Sequence, residues 1–350
     1  MAGSPSTAIT RLDMSLTYQE FSLAANQRKF IGLQVLPPVG VAQEAADFPK
    51  IEVKALMSEP RDTARAPYGS YPRAGWNWTK DSYACQEHGV EEIADDAMVE
   101  RYGDVVRIEQ IAVARAVNRI LQRLEYDIAQ AVFNTTTWTG ATLTTGITTS
   151  WVTANKSTAD PIADIDAARE KVITSCGMTP NTVVMTDKDF INCIRTDRVE
   201  GLLKYDAMEV LMALQGRGGD MQVLNSAAQA LAGLFQVEKV LIGQGVYNSS
   251  DEDITASFSR CWSTGYVMVC HVHDDGMSGD LEAAVPNIGR TIFSTKNSEP
   301  LPGAGDAGFG SLLFDEYREE QVRGSVFRPR NKRQVKILHA QAGHLLSGAS

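Results

Sequence analysis

His271 and His273 stand two residues apart in a stretch of strand-like composition, with Asp274 and Asp275 directly after them. On a strand, positions i and i+2 share one face, and two imidazoles with a carboxylate can hold a divalent metal. The plainer account is a strand running out into a polar loop, with Cys270 on the opposite face, so no metal is expected. Gly303, Gly305 and Gly308 match the G-x-G-x-x-G pattern. That motif cradles a pyrophosphate only between a strand and a helix. Here Glu299-Pro300-Leu301-Pro302 precedes it and a strand-like segment follows, so a flexible connection is expected. Cys85 and His88 have no defined geometry at a strand end, and neither G-x-S-x-G nor H-E-x-x-H occurs. The acid pairs Glu91-Glu92, Asp95-Asp96 and Glu319-Glu320 read as solvated helix starts or turns. The sequence offers no active site: neither catalysis nor a cofactor is expected.

The elements around these residues must therefore carry the function. At 350 residues with 43% hydrophobic and 22% charged side chains, the chain has globular composition. Its mean hydropathy is −0.18, and no run approaches the ~18–20 apolar residues of a bilayer-spanning helix. Residues 1–11 are polar and lack the apolar core of a secretory signal. Five cysteines without a C-x-x-C pair point to a reducing compartment. The net charge is −10, yet from residue 321 onward there are six basic residues and no acidic one, leaving 27 basic against 43 acidic elsewhere. An acidic body does not bind nucleic acid over its whole surface. The basic run (Arg323, Arg328, Arg330, Lys332, Arg333, Lys336) is placed to touch phosphate locally or to meet an acidic surface on a neighbouring copy.

Residues 1–45 read as an extended arm laid on another surface, its apolar groups ending at Pro37-Pro38. Alternation over 50–56 predicts a strand, with a returning strand over 76–85. Between them a Pro/Gly tip with Arg61, Arg65 and Arg73 has almost no aliphatic residue to bury. Two strands alone are marginal in water, so this hairpin is mobile or docked on a partner. Val106, Val113, Val117, Ile120, Leu124 and Ile128 then recur in steps of seven, four, three, four and four. That period predicts a helix over 104–134, about 45 Å long at ~1.5 Å per residue. Gly103 marks a kink or a join of two helices. Asp160-Pro161 starts a further helix that ends near Gly177, residues 181–185 form a buried strand, and Asp187 caps the next helix. Helices follow at 207–214 and 226–234, and strands at 239–242, 265–272, 312–317, 321–328 and 333–338. Helices and strands interleave without a β-α-β rhythm, which predicts an α+β fold.

Five segments, in this order, are similar to the major capsid proteins of tailed bacteriophages, the Hong Kong 97-type fold. They are 83–92 (YACQEHGVEE), 125–134 (EYDIAQAVFN), 160–169 (DPIADIDAAR), 177–185 (GMTPNTVVM) and 240–248 (VLIGQGVYN). The fourth resembles the family's Pro-Asn-Thr-hydrophobic strand most closely, and Phe190 stands where related chains often carry Trp.

The resemblance implies an N-terminal arm at 1–45, an extended β-hairpin loop at 46–90, a peripheral domain with its spine helix at 91–158 and 290–350, and an axial domain at 159–289. It implies a virion protein, assembled in the host cytoplasm, whose pentamers and hexamers build an icosahedral head around double-stranded DNA. Its partners would be other copies of itself, with separate scaffolding, portal and decoration proteins, and no membrane. Some relatives cross-link a loop lysine to a neighbour's asparagine, but no local motif selects among Lys50, Lys54 and Lys80. The contact residues expected between subunits are Lys54, Arg61, Arg65, Arg73, Trp76, Trp78, Arg328, Arg330 and Arg333. The alternatives are an encapsulin-like shell enclosing cargo, a metal-dependent enzyme using His271 and His273, and a DNA-binding protein led by its basic run.

Overall fold

The computed structural model describes residues 27, 29–51, 65, 67–71, 78–103, 107–206, 221–250, 255–273, 287–295 and 313–350. Its longest element is the spine helix Ile108–Val132, 25 residues. The buried line runs through Ala112, Ala116, Ile120, Leu124, Ile128 and Val132, one residue every fourth position. Val113 and Val117 lie at its margin, half-buried. A separate helix, Asp96–Tyr102, precedes it and ends at Gly103; Asp95 caps it by accepting from Ala97 N at 2.8 Å.

Two sheets flank the spine. The first is centred on one long strand, Gly324–Ile337, antiparallel to Leu313–Glu319, Gly289–Ser294, Gln86–Gly89 and Glu92–Asp95. Pro38–Val41 extends it, parallel to Gly289–Ser294. The sequence reading split this strand in two around Pro329. The structure keeps it whole because the missing N–H falls where the neighbouring chain leaves the ladder: Val90 N donates to Pro329 O between the two short strands.

The second sheet has the order Thr144–Gly146, Gly343–Ser347, Tyr266–Cys270, Thr182–Thr186 and Lys239–Gly243. It is buried on both sides. Val183, Met185, Val267, Val269 and Leu346 join one core, whereas Val184, Met268, Cys270 and Leu345 join another with the C-terminal half of the spine. The strand Gly343–Ser347 pairs here with Tyr266–Cys270, and so lies with residues of the expected axial unit. The helix Pro161–Cys176 packs on this sheet; Asp160 accepts from Ala163 N, and Gly177 closes it at φ 74°. Thr186, not Asp187, caps the helix Asp187–Ile194, accepting from Asp189 N. The expected helix at 207–214 lies outside the described residues; the later one spans Met221–Leu234.

A two-stranded ribbon stands beside the first sheet, pairing Ala45–Lys50 with Thr79–Ala84. The outgoing strand thus lies earlier than the 50–56 expected; 52–64 fall outside the described residues. The arm also differs from expectation, because Ile31, Val35 and Leu36 are buried against the spine of their own chain. Among the described residues, no helix is long and apolar enough to cross a membrane.

Candidate assembly interface

The long strand presents two faces to two different elements, as its period of two requires. Phe327, Pro329, Asn331 and Arg333 are buried, while Arg328, Arg330, Lys332, Gln334 and Lys336 alternate with them on the half-exposed side. Four of the six basic residues, Arg328, Arg330, Lys332 and Lys336, therefore form a row on one strand face, and each of the four meets an acid of its own chain. Arg328 contacts Asp315 at 3.1 Å and Glu91 at 3.4 Å, and Arg330 contacts Asp315 and Glu87 at 2.9 Å each. Lys332 reaches Glu44 at 2.7 Å, and Lys336 reaches Asp81 at 2.5 Å. These acids hold the Arg330 and Lys332 cations above their usual pKa, the hydrogen bonds to Glu87 and Glu44 being the largest cause. The sequence reading sent Arg328, Arg330 and Arg333 to a neighbour; in the subunit they are engaged internally.

Arg333 is a correction in its own right. Its side chain is 1% exposed, 3.5 Å from Asp127, with a hydrogen bond to Ile120 O on the spine. It is enclosed within its own subunit. Burial pulls its pKa down to about 10, against the charge of Asp127.

The even-numbered row also anchors the ribbon. Lys336 bonds Asp81 and Ser82 O and lies over the Phe48 ring at 5.4 Å. Ala84 N donates to Gln334 Oε1 at 2.8 Å, and Lys50 Nζ donates to Leu338 O. Ala46, Phe48, Lys50, Asp81 and Tyr83 form this half-buried inward face. The outward face carries Asp47, Pro49, Trp78 and Lys80, all exposed, with half-buried Ile51. With the edge of Phe48 they line a groove of about 490 Å³. Trp78 is 48% exposed. Arg65 lies over the Tyr71 ring at 4.9 Å, both residues exposed beyond the ribbon. Lys54, Arg61, Arg73 and Trp76 lie outside the described residues.

Exposed apolar side chains also lie at the N-terminal end of the spine. The helix Asp96–Tyr102 buries none of its residues. Val99 leans toward Ile108 and Val113, leaving Met98 (52% exposed) and Tyr102 (45%) side by side, four residues apart.

One residue that sequence reasoning passed over organises the other end. Glu125 of the spine is 3% exposed. Its Oε1 accepts from Ile31 N at 2.9 Å and Trp262 Nε1 at 2.6 Å, and its Oε2 accepts from Gly32 N at 2.7 Å. A single carboxylate thus fastens the arm and Trp262 to the spine. Burial pushes its pKa up, against the pull of the three donors. Gly32 has to be glycine: a Cβ there would sit 2.6 Å from Glu125 Oε2. The available signal was a carboxylate directly after Leu124 on the buried stripe.

The catalytic candidates do not converge. His271 Nδ1 pairs with Thr179 O at 2.8 Å, and no three His, Cys, Asp or Glu residues gather among the described residues; Asp274 and Asp275 lie outside them. Cys85 Sγ turns to Ile292 O at 3.8 Å, while burial and the neighbouring Arg333 lower the pKa of His88. Burial pushes the Cys261 and Cys270 thiols up to about 12, removing them as nucleophiles. The G-x-G-x-x-G stretch lies outside the described residues.

No family model matches the chain. In sequence it is 23% identical over 321 residues to the major capsid protein of Burkholderia phage BcepMu, covering 91% of each chain. In structure it is similar to a phage-related protein of Bordetella bronchiseptica RB50, with TM-score 0.60 and 17% identity over 93% of this chain and 96% of the other. The capsid of Myoviridae phage XM1 is similar at TM-score 0.51 and 11% identity, over 95% of this chain and 94% of the other. An encapsulin complex from Synechococcus elongatus PCC 7942 follows at TM-score 0.50 and 9% identity, over 100% and 97%. Sequence likeness along nine-tenths of the chain, joined to an α+β architecture of arm, ribbon, spine and two sheets, makes this a capsid shell protein of the Hong Kong 97 type, as in the major capsid proteins of tailed phages.

Proposed function

We propose that this chain assembles into pentamers and hexamers that form the icosahedral head of a tailed phage and enclose its double-stranded DNA. The supporting observation is the ribbon: two strands fixed to their own subunit on one face and carrying an exposed apolar groove on the other. An isolated two-stranded ribbon is marginal in water, and a neighbouring copy supplies its cover. Contacts of this heterologous kind close into rings, and interfaces of obligate assemblies bury about 2,000–5,000 Å². Residues 1–45 serve as the arm, 46–90 as the extended loop, 91–158 with 290–350 as the peripheral domain, and 159–289 as the axial domain. Scaffolding, portal and decoration proteins are separate chains, and assembly takes place in the host cytoplasm. The role is structural, not enzymatic.

Negative-stain microscopy of the purified protein tests this directly: closed shells are the expected result, and a protein that stays monomeric at high concentration refutes it. The likeness to an encapsulin complex favours a second reading, a shell around protein cargo. Packaged double-stranded DNA in particles from infected cells supports the first reading, and co-purifying enzyme supports the second.

A further inference from the structure

We infer that Arg115, Arg119 and Arg123 of the spine helix bind the phosphate backbone of duplex DNA, so that this flank of the helix lines the inside of the shell. This deepens the shell reading and rests on it. The three arginines stand four residues apart, which sets them along one side of the helix at ~6 Å of axial rise per step. Each directly precedes a residue of the buried line, Ala116, Ile120 or Leu124, and so stands about 100° around the helix from it. Their side chains are 50%, 42% and 64% exposed, on a helix held rigid by its packing against the long strand. Two acids lie beside the row, and each is divided between two arginines. Glu92 Oε1 is 3.8 Å from Arg115 and 3.0 Å from Arg119, while Asp127 takes Arg123 at 2.8 Å and the enclosed Arg333 at 3.5 Å. Exposed ion pairs of this kind are worth at most about 1 kcal/mol, so they orient the guanidinium groups and yield them to a stronger acceptor. The planar guanidinium fork matches a phosphate with two parallel hydrogen bonds. The row on the long strand is less open, its four side chains being 17–39% exposed. The whole chain carries −10, so its overall charge repels DNA and confines attraction to a stripe such as this. Phosphate contacts carry no sequence information, which suits a container that must accept every stretch of a genome. A duplex offers one charge per ~1.7 Å of its axis, and each arginine meets a phosphate in any register.

The test uses the full-length chain, as dissociated subunits and as closed empty shells, with a fluorescent duplex of mixed sequence as the probe. Subunits should bind it with an affinity that falls steeply as salt rises. At ~0.9 per phosphate contact, combining Arg115→Gln, Arg119→Gln and Arg123→Gln should lower the slope of log K against log salt by about 2.7. Each single change should lower it by about 0.9, a measurement that stands even if the triple variant fails to fold. Lysine at all three positions should keep the slope, and Arg328→Gln on the strand row should leave it unaltered. Closed shells should not bind a duplex too long to enter them, because the row faces inward. Unaltered subunits that bind no duplex at low salt overturn the inference, as does an unchanged slope in the glutamine variants or duplex held by intact shells through these arginines. A triple variant that binds duplex normally yet no longer closes into shells assigns the row to an acidic face of a second copy, and also overturns it. Failure of the unaltered chain to form any shell counts against the function proposed above, whereas the slope measured on subunits judges the arginine row in either case.

Discussion

Replacing Glu125 should release the arm from the spine, and the structure sets the scale. In Glu125→Ala three buried N–H donors, those of Ile31, Gly32 and Trp262, lose an acceptor held at 2.6–2.9 Å. A buried donor left without a partner costs about 1–3 kcal/mol. Relief of the carboxylate's own desolvation offsets part of the sum, leaving roughly 3–5 kcal/mol, the range for breaking a buried charged contact. Glu125→Gln keeps one acceptor oxygen and carries no charge to desolvate, so its cost should be about 1–2 kcal/mol. Gly32→Ala attacks the same joint sterically, since its Cβ would meet Glu125 Oε2 at 2.6 Å and Ile128 Cδ1 at 2.9 Å. The assay is urea unfolding of dissociated subunits, with limited proteolysis near residues 27–36 reporting whether the arm has come free. The reasoning fails if Glu125→Ala leaves the urea midpoint unchanged, or if Gln is as damaging as Ala.

Other groups in the fold give further outcomes. His88 and His344 are held below the usual histidine pKa, burial being the first cause in both. The unfolded chain then takes up protons first, so stability is full above about pH 6.5 and falls as pH drops from there toward the folded values. Urea midpoints between pH 8 and 5.5 should show this slope, and His344→Gln should flatten it. Arg333→Met removes one partner of the contact but leaves Asp127 paired with Arg123 at 2.8 Å, so it should cost about 1–3 kcal/mol, whereas Arg333→Ala should cost more by opening a cavity beside Ile120. Equal urea midpoints for the two variants would contradict that account. Native protein treated with a thiol reagent should react quickly only at Cys85, the one half-exposed cysteine; the other four are buried. Rapid modification of Cys193, fully enclosed in the core, would count against the packing described.

Much of the scaffold was legible where local chemistry and burial agree. The spine announced itself through apolar steps of seven, four and three, and Asp160, Pro161 and Gly177 bracketed their helix because cap and left-handed turn are local demands. The strand expected at 181–185 was visible as a short apolar run, Val183-Val184-Met185, among residues of strand-like type, and it spans Thr182–Thr186. The long strand was not, because Pro329 reads as a break unless one knows that the neighbouring chain leaves the ladder there. That misreading hid the meaning of the basic run. Only on an unbroken strand do Arg328, Arg330, Lys332 and Lys336 fall on one side and Arg333 on the other. The seat of Ile31 and Gly32 was hidden for a similar reason, since the acceptor that holds them lies more than ninety residues away. The placement of 343–347 in the second sheet likewise depends on a partner, 266–270, that no local pattern names.

The long strand has a consequence for the timing of synthesis. The ribbon base, the buried flank of the spine near Ile120 and the strands at 86–95, 289–294 and 313–319 all wait for residues 324–337. A nascent chain emerging from the ribosome therefore holds these parts uncompleted until residues 324–337 have been translated. Pairings so distant in sequence form slowly. A one-residue slip would turn every lysine and arginine of the row toward the interior, which leaves a single register open to it. The base of the ribbon and the basic row beneath it are thereby completed in one step, and a chain halted before residue 324 possesses neither.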